Sequence, residues 1–390
     1  MASAKQFCYD AAAVVPAPLN AEILTELVFS TACLFLTIYI FYVNVRRPLF
    51  PALAVLVSLL FLWAVTSALP STAMVSVWPP WMAMRCFVLL AAACASVAAG
   101  NWQHIPLLAL SAMIMIHAHV AQLLFATALA GAAICSLAFR ELKSGSLAEN
   151  LRIYRYYLAA ALGVIALFLL PITIDWASHH ANNIHQIRAY LRAHRGEHNS
   201  FSQALLYTFS FLTYYVTPEI VLAKPTVTLR DLIPPDEFVP VFWSVFLAIS
   251  TLALIAQFRS GRKMPSFLKF VFAEIVLIVL LFPYWSWKMT GPMYTFNGFF
   301  FFSVQLLALL TFVSLISYGV GSTLKRHTQT AITCACVALL LLVPGVPNSY
   351  GKNPDVLPIV MAVKAKHVKN IMLFFTEPIA SLPATGWSAS

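Results

Sequence analysis

Apolar runs of about twenty residues recur along this 390-residue chain, separated by short polar stretches. A helix of that length spans the hydrocarbon core of a bilayer, where every backbone N–H and C=O must be satisfied within the segment itself. Composition agrees: 61% of residues are hydrophobic and 10% charged, whereas soluble domains carry about 45–50% and about 25%. The fold class read from this is all-α, a polytopic helical membrane protein. It has about ten transmembrane helices, an outer interfacial helix and one re-entrant segment.

The expected spans are Ala21–Val43, Leu49–Leu69, Ala83–Gly100, Pro106–His119, Val120–Phe139, Tyr156–Ile174, Val239–Phe258, Lys269–Trp287, Asn297–Gly319 and Thr328–Val343. The fourth is short, which suits an oblique path or an end inside a water-accessible cavity. Lys and Arg in short loops set the orientation. Arg46, Arg47, Arg140, Lys143, Arg152, Arg155, Arg259, Arg262, Lys263, Lys325 and Arg326 share one side if the spans alternate. That side reads as cytoplasmic and both termini as extracytoplasmic. The organisation is then an outer segment 1–20, a membrane core 21–345 with an outer loop 175–238, and an outer tail 346–390. Phe201–Leu222 is apolar enough to cross but would break the alternation. It reads as re-entrant or interfacial, ending at Pro218 and Glu219.

The net charge of +10 is dispersed between spans rather than gathered on one face, so no nucleic-acid partner is expected. Seven cysteines, mostly in or beside apolar segments, read as small packing residues and not as a disulfide framework. The first twenty residues lack the n- and h-regions of a signal peptide, so no cleavage is expected. There is no Walker A, Rossmann glycine pattern, HExxH or GxSxG.

Four clusters could carry chemistry. Trp78-Pro-Pro-Trp81, followed by Arg85, reads as an aromatic belt residue pair on a rigid loop, with a platform for a sugar or headgroup as the alternative. His117 and His119 close an apolar helix, but residues two apart point about 200° away from each other. A hydrogen-bonded cavity histidine therefore fits better than a metal ligand pair. After Asp175 comes a polar run in which Asn183 reads as the N-cap of a helix to about His194. Ile184, Ile187 and Leu191 form its apolar stripe, with Arg188, Arg192 and Arg195 beside it. These arginines either snorkel to lipid phosphates or hold the phosphate of a lipid-linked donor. The fourth cluster is Glu274, an intramembrane carboxylate near the cytoplasmic end of its span, which reads either as a functional group or as a simple partner of Lys269.

From about Pro16 to Lys366, the order and spacing of five pieces resembles the GT-C glycosyltransferase class of bacterial polytopic membrane proteins. PAPL (Pro16–Leu19) resembles an HPGPL segment, VWPPW (Val77–Trp81) a WNPW-type loop, and IHAHVAQLL (Ile116–Leu124) a QTHLGY-like turn with His119 on the family histidine. ASHHANNIHQIRAYL (Ala177–Leu191) resembles a PGNL-type helix start with Asn182 in place of the glycine, and MTGPMYTFN (Met289–Asn297) an outer turn. The resemblance implies transfer of a hexose or pentose from a polyprenyl-phosphate donor at the outer face of the bacterial inner (cell) membrane. Its substrate-binding residues would be Trp78, Trp81, Arg85, His117, His119, Asn183, Arg188 and Arg192. The class carries its catalytic aspartate on an outer loop after a leading helix, and neither is matched ahead of Ala21. Asp10 and Asp175 are the weak catalytic candidates left, with Glu22 and Glu26 at the membrane edge. The tail resembles the opening of an outer C-terminal domain. No cofactor is assured, a divalent metal is left open, and no metal ligands are assigned.

Three readings follow. The first is a GT-C-like transferase or its membrane core, working with membrane lipid and a polyprenyl-phosphate sugar donor. The second is a non-catalytic relative that binds the lipid-linked sugar, as a subunit of a membrane complex. A transporter is third, because the chain has no internal repeat with paired broken helices.

Overall fold

The computed structural model describes residues 18–68, 79–118, 122–178, 182–194, 196, 198–212, 264–289 and 295–320. These form helices and turns, with no strand among the described residues. The helices are α1 (Pro18–Val45), α2 (Phe50–Ala68), α3 (Pro79–Ala98), α4 (Ile105–Ala118), α5 (Leu123–Ser144), α6 (Leu147–Ile153), α7 (Arg155–Ser178), α8 (Asn182–Ala193), α9 (Phe201–Leu212), α10 (Ser266–Lys288) and α11 (Phe302–Val320). A 3-10 turn at Trp102–His104 precedes α4, and a 3-10 stretch at Thr295–Phe301 runs into α11. Among the described residues, five stretches are long and apolar enough to cross a bilayer: Val28–Val45, Leu123–Ser144, Arg155–Ser178, Ser266–Lys288 and Asn297–Ser317. The expected spans Val239–Phe258 and Thr328–Val343 lie outside the described residues, as do Pro218, Glu219 and the tail.

Helix α3 is the axis of the bundle. Every residue from Ala83 to Ala98 is buried, as expected of a helix apolar on all sides. Its small residues, AAACASVA, let neighbouring backbones come close. Around it pack α1, α4, α5, α10, α11 and the 3-10 stretch before α11. Helix α7 packs mainly on α4 and leaves most of its apolar surface uncovered, a surface suited to lipid.

The helices define two ends. At the basic end, Asn44 near the close of α1 meets Ser96 near the close of α3, and Trp102 meets both Glu141 of α5 and Tyr154 at the start of α7. At the far end, Ser303 at the start of α11 donates to the Met84 carbonyl, and Asn199 reaches the last turn of α10. Between them lies an aromatic core. Phe282 of α10 stacks on Tyr207 of α9 (ring centroids 5.6 Å) and packs against Phe301 (3.9 Å), and Phe125 meets Phe87, Trp285 and Phe300. Gly298 is required there, because a Cβ would meet the Phe211 ring at 2.5 Å.

Several details differ from the sequence expectations, each for a local reason. Pro79 and Pro80 open α3 instead of ending a loop, which places Trp81 in its first turn; proline is tolerated where the helix has no N–H partner to lose. Helix α5 runs five residues past Phe139 until Gly145, at φ 71°, turns the chain left-handed and donates to the Glu141 and Leu142 carbonyls. Helix α8 already includes Asn182, so Asn183 lies inside it and is not the N-cap. Phe201–Leu212, the described part of the segment expected to be re-entrant or interfacial, forms α9, which starts beside the end of α10 and runs antiparallel to it, burying Ala204, Tyr207, Thr208 and Phe211. Cys33, Cys86 and Cys94 are buried as packing residues, but Cys135 is exposed on α5.

Candidate functional site at the far end

The far end is built around the short α4. Its 14 residues rise about 21 Å, less than the roughly 30 Å of a hydrocarbon core. His117, one residue from its end, lies edge-on to Phe168 of α7, with ring centroids 5.3 Å apart. Helix α7 continues ten residues beyond Phe168, to Ser178, which is about 15 Å of further rise. Helix α4 therefore ends well below the tip of α7.

Two polar atoms in this hairpin are buried and without a hydrogen bond: His117 Nε2 and Gln122 Oε1. Gln122 is 3% exposed. An amide or imidazole held this way in an apolar region forfeits a hydrogen bond it would make in water, so each atom is a ready acceptor or donor for a bound group. The sequence reading picked out His117 as a hydrogen-bonded cavity histidine; it makes ring contact instead. Gln122 was missed because it sits within an expected span, and periodicity registers only the apolar residues around it. A polar side chain inside such a span is the signal that could have found it.

Helix α8 bridges the far end. It begins four residues after α7 closes, and the chain beyond it is pinned where Asn199 donates to the Ser286 (3.3 Å) and Met289 (3.1 Å) carbonyls. Those bonds reach carbonyls at the end of α10, of which that of Ser286 also accepts from the Met289 N–H. Along α8, Arg188 and Arg192 are exposed, as are Ile187 and Tyr190 on the same short helix. Tyr190 stacks on His194, with centroids 4.2 Å apart. Nothing among the described residues covers this surface. It offers two guanidinium groups next to apolar side chains.

The structure thus brings His117, Arg188, Arg192 and Asp175 to one end of the bundle. Asp175 lies half-buried in the last turn of α7. Arg85 points elsewhere: it is buried in α3 and donates to Ser30 of α1, whereas the next residue, Cys86, faces α4 through the Ser111 carbonyl. Successive residues on a helix diverge by about 100°, which separates Arg85 from the α4–α7 side. Asn183 lies in the first turn of α8. Asp10, Trp78, His119 and Arg195 lie outside the described residues. No group of three metal-ligating side chains occurs among the described residues.

The other end of the same helices was not singled out by the sequence. Glu141, 4% exposed, accepts from Trp102 Nε1 (3.4 Å), Arg140 (2.9 Å), Ser146 and Asn150 (2.6 Å). Beside it, Asn101 donates to Asn44 (2.8 Å) and to Ser96, whose hydroxyl is 2.7 Å from His104 Nδ1. Burial pushes the His104 imidazole below its usual range. Gly100, at φ 105°, lets the Arg140 guanidinium lie directly over the backbone. This is a joint between helices with its hydrogen bonds made internally.

No protein-family model, curated protein or solved structure matches the chain.

Proposed function

We propose that this protein handles a lipid-linked sugar, carried on polyprenyl phosphate, at the far end of its helix bundle. The observation that carries the reading is the far end itself: two buried polar atoms without partners in the α4–α5 hairpin, and a helix following α7 that exposes Arg188 and Arg192. Guanidinium groups match phosphate geometry, apolar side chains beside them suit a prenyl chain, and an amide and an imidazole suit sugar hydroxyls. The sequence resemblance to GT-C glycosyltransferases supports the same substrate class.

The membrane arrangement belongs to this proposal. About ten spans, including Val239–Phe258 and Thr328–Val343, place the arginine- and lysine-rich loops in the cytoplasm. The far end then faces outward, and both termini are extracytoplasmic, in a bacterial inner membrane. Sugar transfer would make the protein a hexosyl or pentosyl transferase, with Asp175 as the base nearest this end. Asp175, however, sits seven residues past Phe168, about 10 Å farther along α7 than the ring against His117. That separation favours a second reading, in which the protein binds the lipid-linked sugar and presents it within a membrane complex.

The test uses the full chain in nanodiscs with labelled polyprenyl-phosphate sugars and a panel of acceptors. Saturable binding that weakens in an Arg188→Glu, Arg192→Glu variant supports the proposal. Transfer of label in addition selects the enzyme, and binding without transfer selects the presenting subunit. Absence of saturable binding overturns both.

A further inference from the structure

Within the bundle, away from the far-end site, lies Glu274. It is the ninth of the 23 residues of α10, about 12 Å from the start of the helix and three residues from its middle. Among the buried residues of α10, Phe267, Val271, Glu274, Ile278, Phe282 and Trp285 form a stripe at helical spacing that faces the core. Glu274 occupies one position of that apolar stripe. It is 5% exposed, and its Oε2 is buried without a hydrogen bond.

The expected partner is not in place. Lys269 is five residues earlier, about 140° around the helix, and it is exposed. No ion pair links the two among the described residues. Among the described residues, the elements packed on α10 supply no other counter-charge. On α3, Cys94 is within electrostatic reach, and Arg85 is nine residues nearer the far end, bonded to Ser30. On α5, Arg140 and Glu141 are paired with each other at the basic end, and on α9 the ionisable group is Tyr207, whose hydroxyl hydrogen-bonds to the Gly298 backbone. The described side chains of α11 include no ionisable group. On α10 itself, Tyr284 is exposed and Lys288 lies over the Trp287 ring at the far end.

An ionised carboxylate without a partner in such surroundings is strongly disfavoured, a cost the group avoids by keeping its proton. We infer that Glu274 is a neutral carboxylic acid in the membrane interior, a proton-binding site separate from the far-end site. Its place in the α10 stripe ties proton occupancy to helix packing: loss of the proton puts a charge between α10 and its neighbours.

Infrared difference spectroscopy of the full chain in nanodiscs tests this. At neutral pH, wild type minus Glu274→Gln should contain the carbonyl stretch of a protonated carboxylic acid, sensitive to deuterium oxide, without a matching carboxylate band. In protein labelled with carbon-13 glutamate that band should carry the isotope shift, and Glu274→Asp should remove the shift while keeping an acid band. The aspartate variant keeps the test available if the glutamine variant does not fold. A carboxylate band from Glu274 at neutral pH, or no acid band in the wild type, overturns the inference.

Discussion

Helices α4 and α5 are joined into the bundle differently at their two ends. At the basic end, the turn before α4 and the last turn of α5 bury Trp102, His104 and Glu141, and each of these polar groups finds a partner in the protein. At the far end, the hairpin between the same helices buries His117 Nε2 and Gln122 Oε1 with none. Membrane interiors penalise an unmet polar group, so a satisfied network fixes geometry while an unsatisfied pair marks where something else binds. The basic end is a clasp, and under the proposed function the hairpin is the receptor.

The largest effect should come from opening the clasp. Glu141→Ala strands Trp102 Nε1 and Asn150 in a buried joint and leaves Arg140 without its ion-pair partner. The expected loss is about 3 kcal/mol, read as a lower unfolding temperature in detergent or nanodiscs. A loss near zero would show that the network is not a structural joint. Next comes Gly298→Ala, which drives a methyl group into the Phe211 ring and toward the Tyr207 hydroxyl. Overpacking of this kind costs about 1–3 kcal/mol. It should lower stability without altering ligand binding in the folded fraction, because the aromatic core supports the far end and is not part of its surface.

Much of this arrangement was legible before any coordinates. Apolar length marked the helices, and the brevity of 106–119 marked the short α4. The stripe of Ile184, Ile187 and Leu191 marked α8, because an amphipathic period survives in sequence whatever surrounds it. The clasp was invisible for the opposite reason. Glu141 draws its partners from five, nine and 39 positions away, and within its own loop it looks like one acid among arginines. Lys269 and Glu274 misled in the same way: nearness in sequence suggested a pair that the turn of the helix prevents. Gln122 belongs with these, since whether an amide inside an apolar span has a partner is decided by folding.

At the receptor end, charge reversal should affect ligand and leave the fold alone. Arg188→Glu with Arg192→Glu changes two exposed residues on α8, and affinity for a phosphate-bearing lipid should fall by at least about tenfold. The unfolding temperature should hold. A fall in both would make α8 part of the fold's support and weaken the contrast between the ends. Gln122→Leu is the sharper comparison. Removing an unpartnered buried amide should leave stability unchanged or raise it by about 1 kcal/mol, while Asn101→Leu at the clasp breaks bonds to Asn44 and Ser96 and lowers it. Weaker sugar-lipid binding in Gln122→Leu would identify the missing partner as ligand, and equal destabilisation by both variants would erase the distinction.

The smallest expected effect is a pH dependence confined to the clasp. His104 is 3% exposed, with Nδ1 at 2.7 Å from the Ser96 hydroxyl and its ring edge-on to Tyr39. Burial lowers its proton affinity in the folded state, so the unfolded chain binds a proton at a higher pH than the folded one does. Above the ordinary imidazole range, both states are neutral and the residue contributes no pH dependence. As pH falls through that range toward the lower folded value, the unfolded state gains the proton first, and stability declines. Unfolding temperatures measured from pH 8 down to 5 (~6.5 being the ordinary imidazole value) should drop for the wild type and drop less for His104→Asn. The asparagine keeps a hydrogen-bonding group near Ser96 without the titration. Equal slopes for the two proteins would place the acid sensitivity elsewhere and leave the clasp as a joint that pH does not loosen.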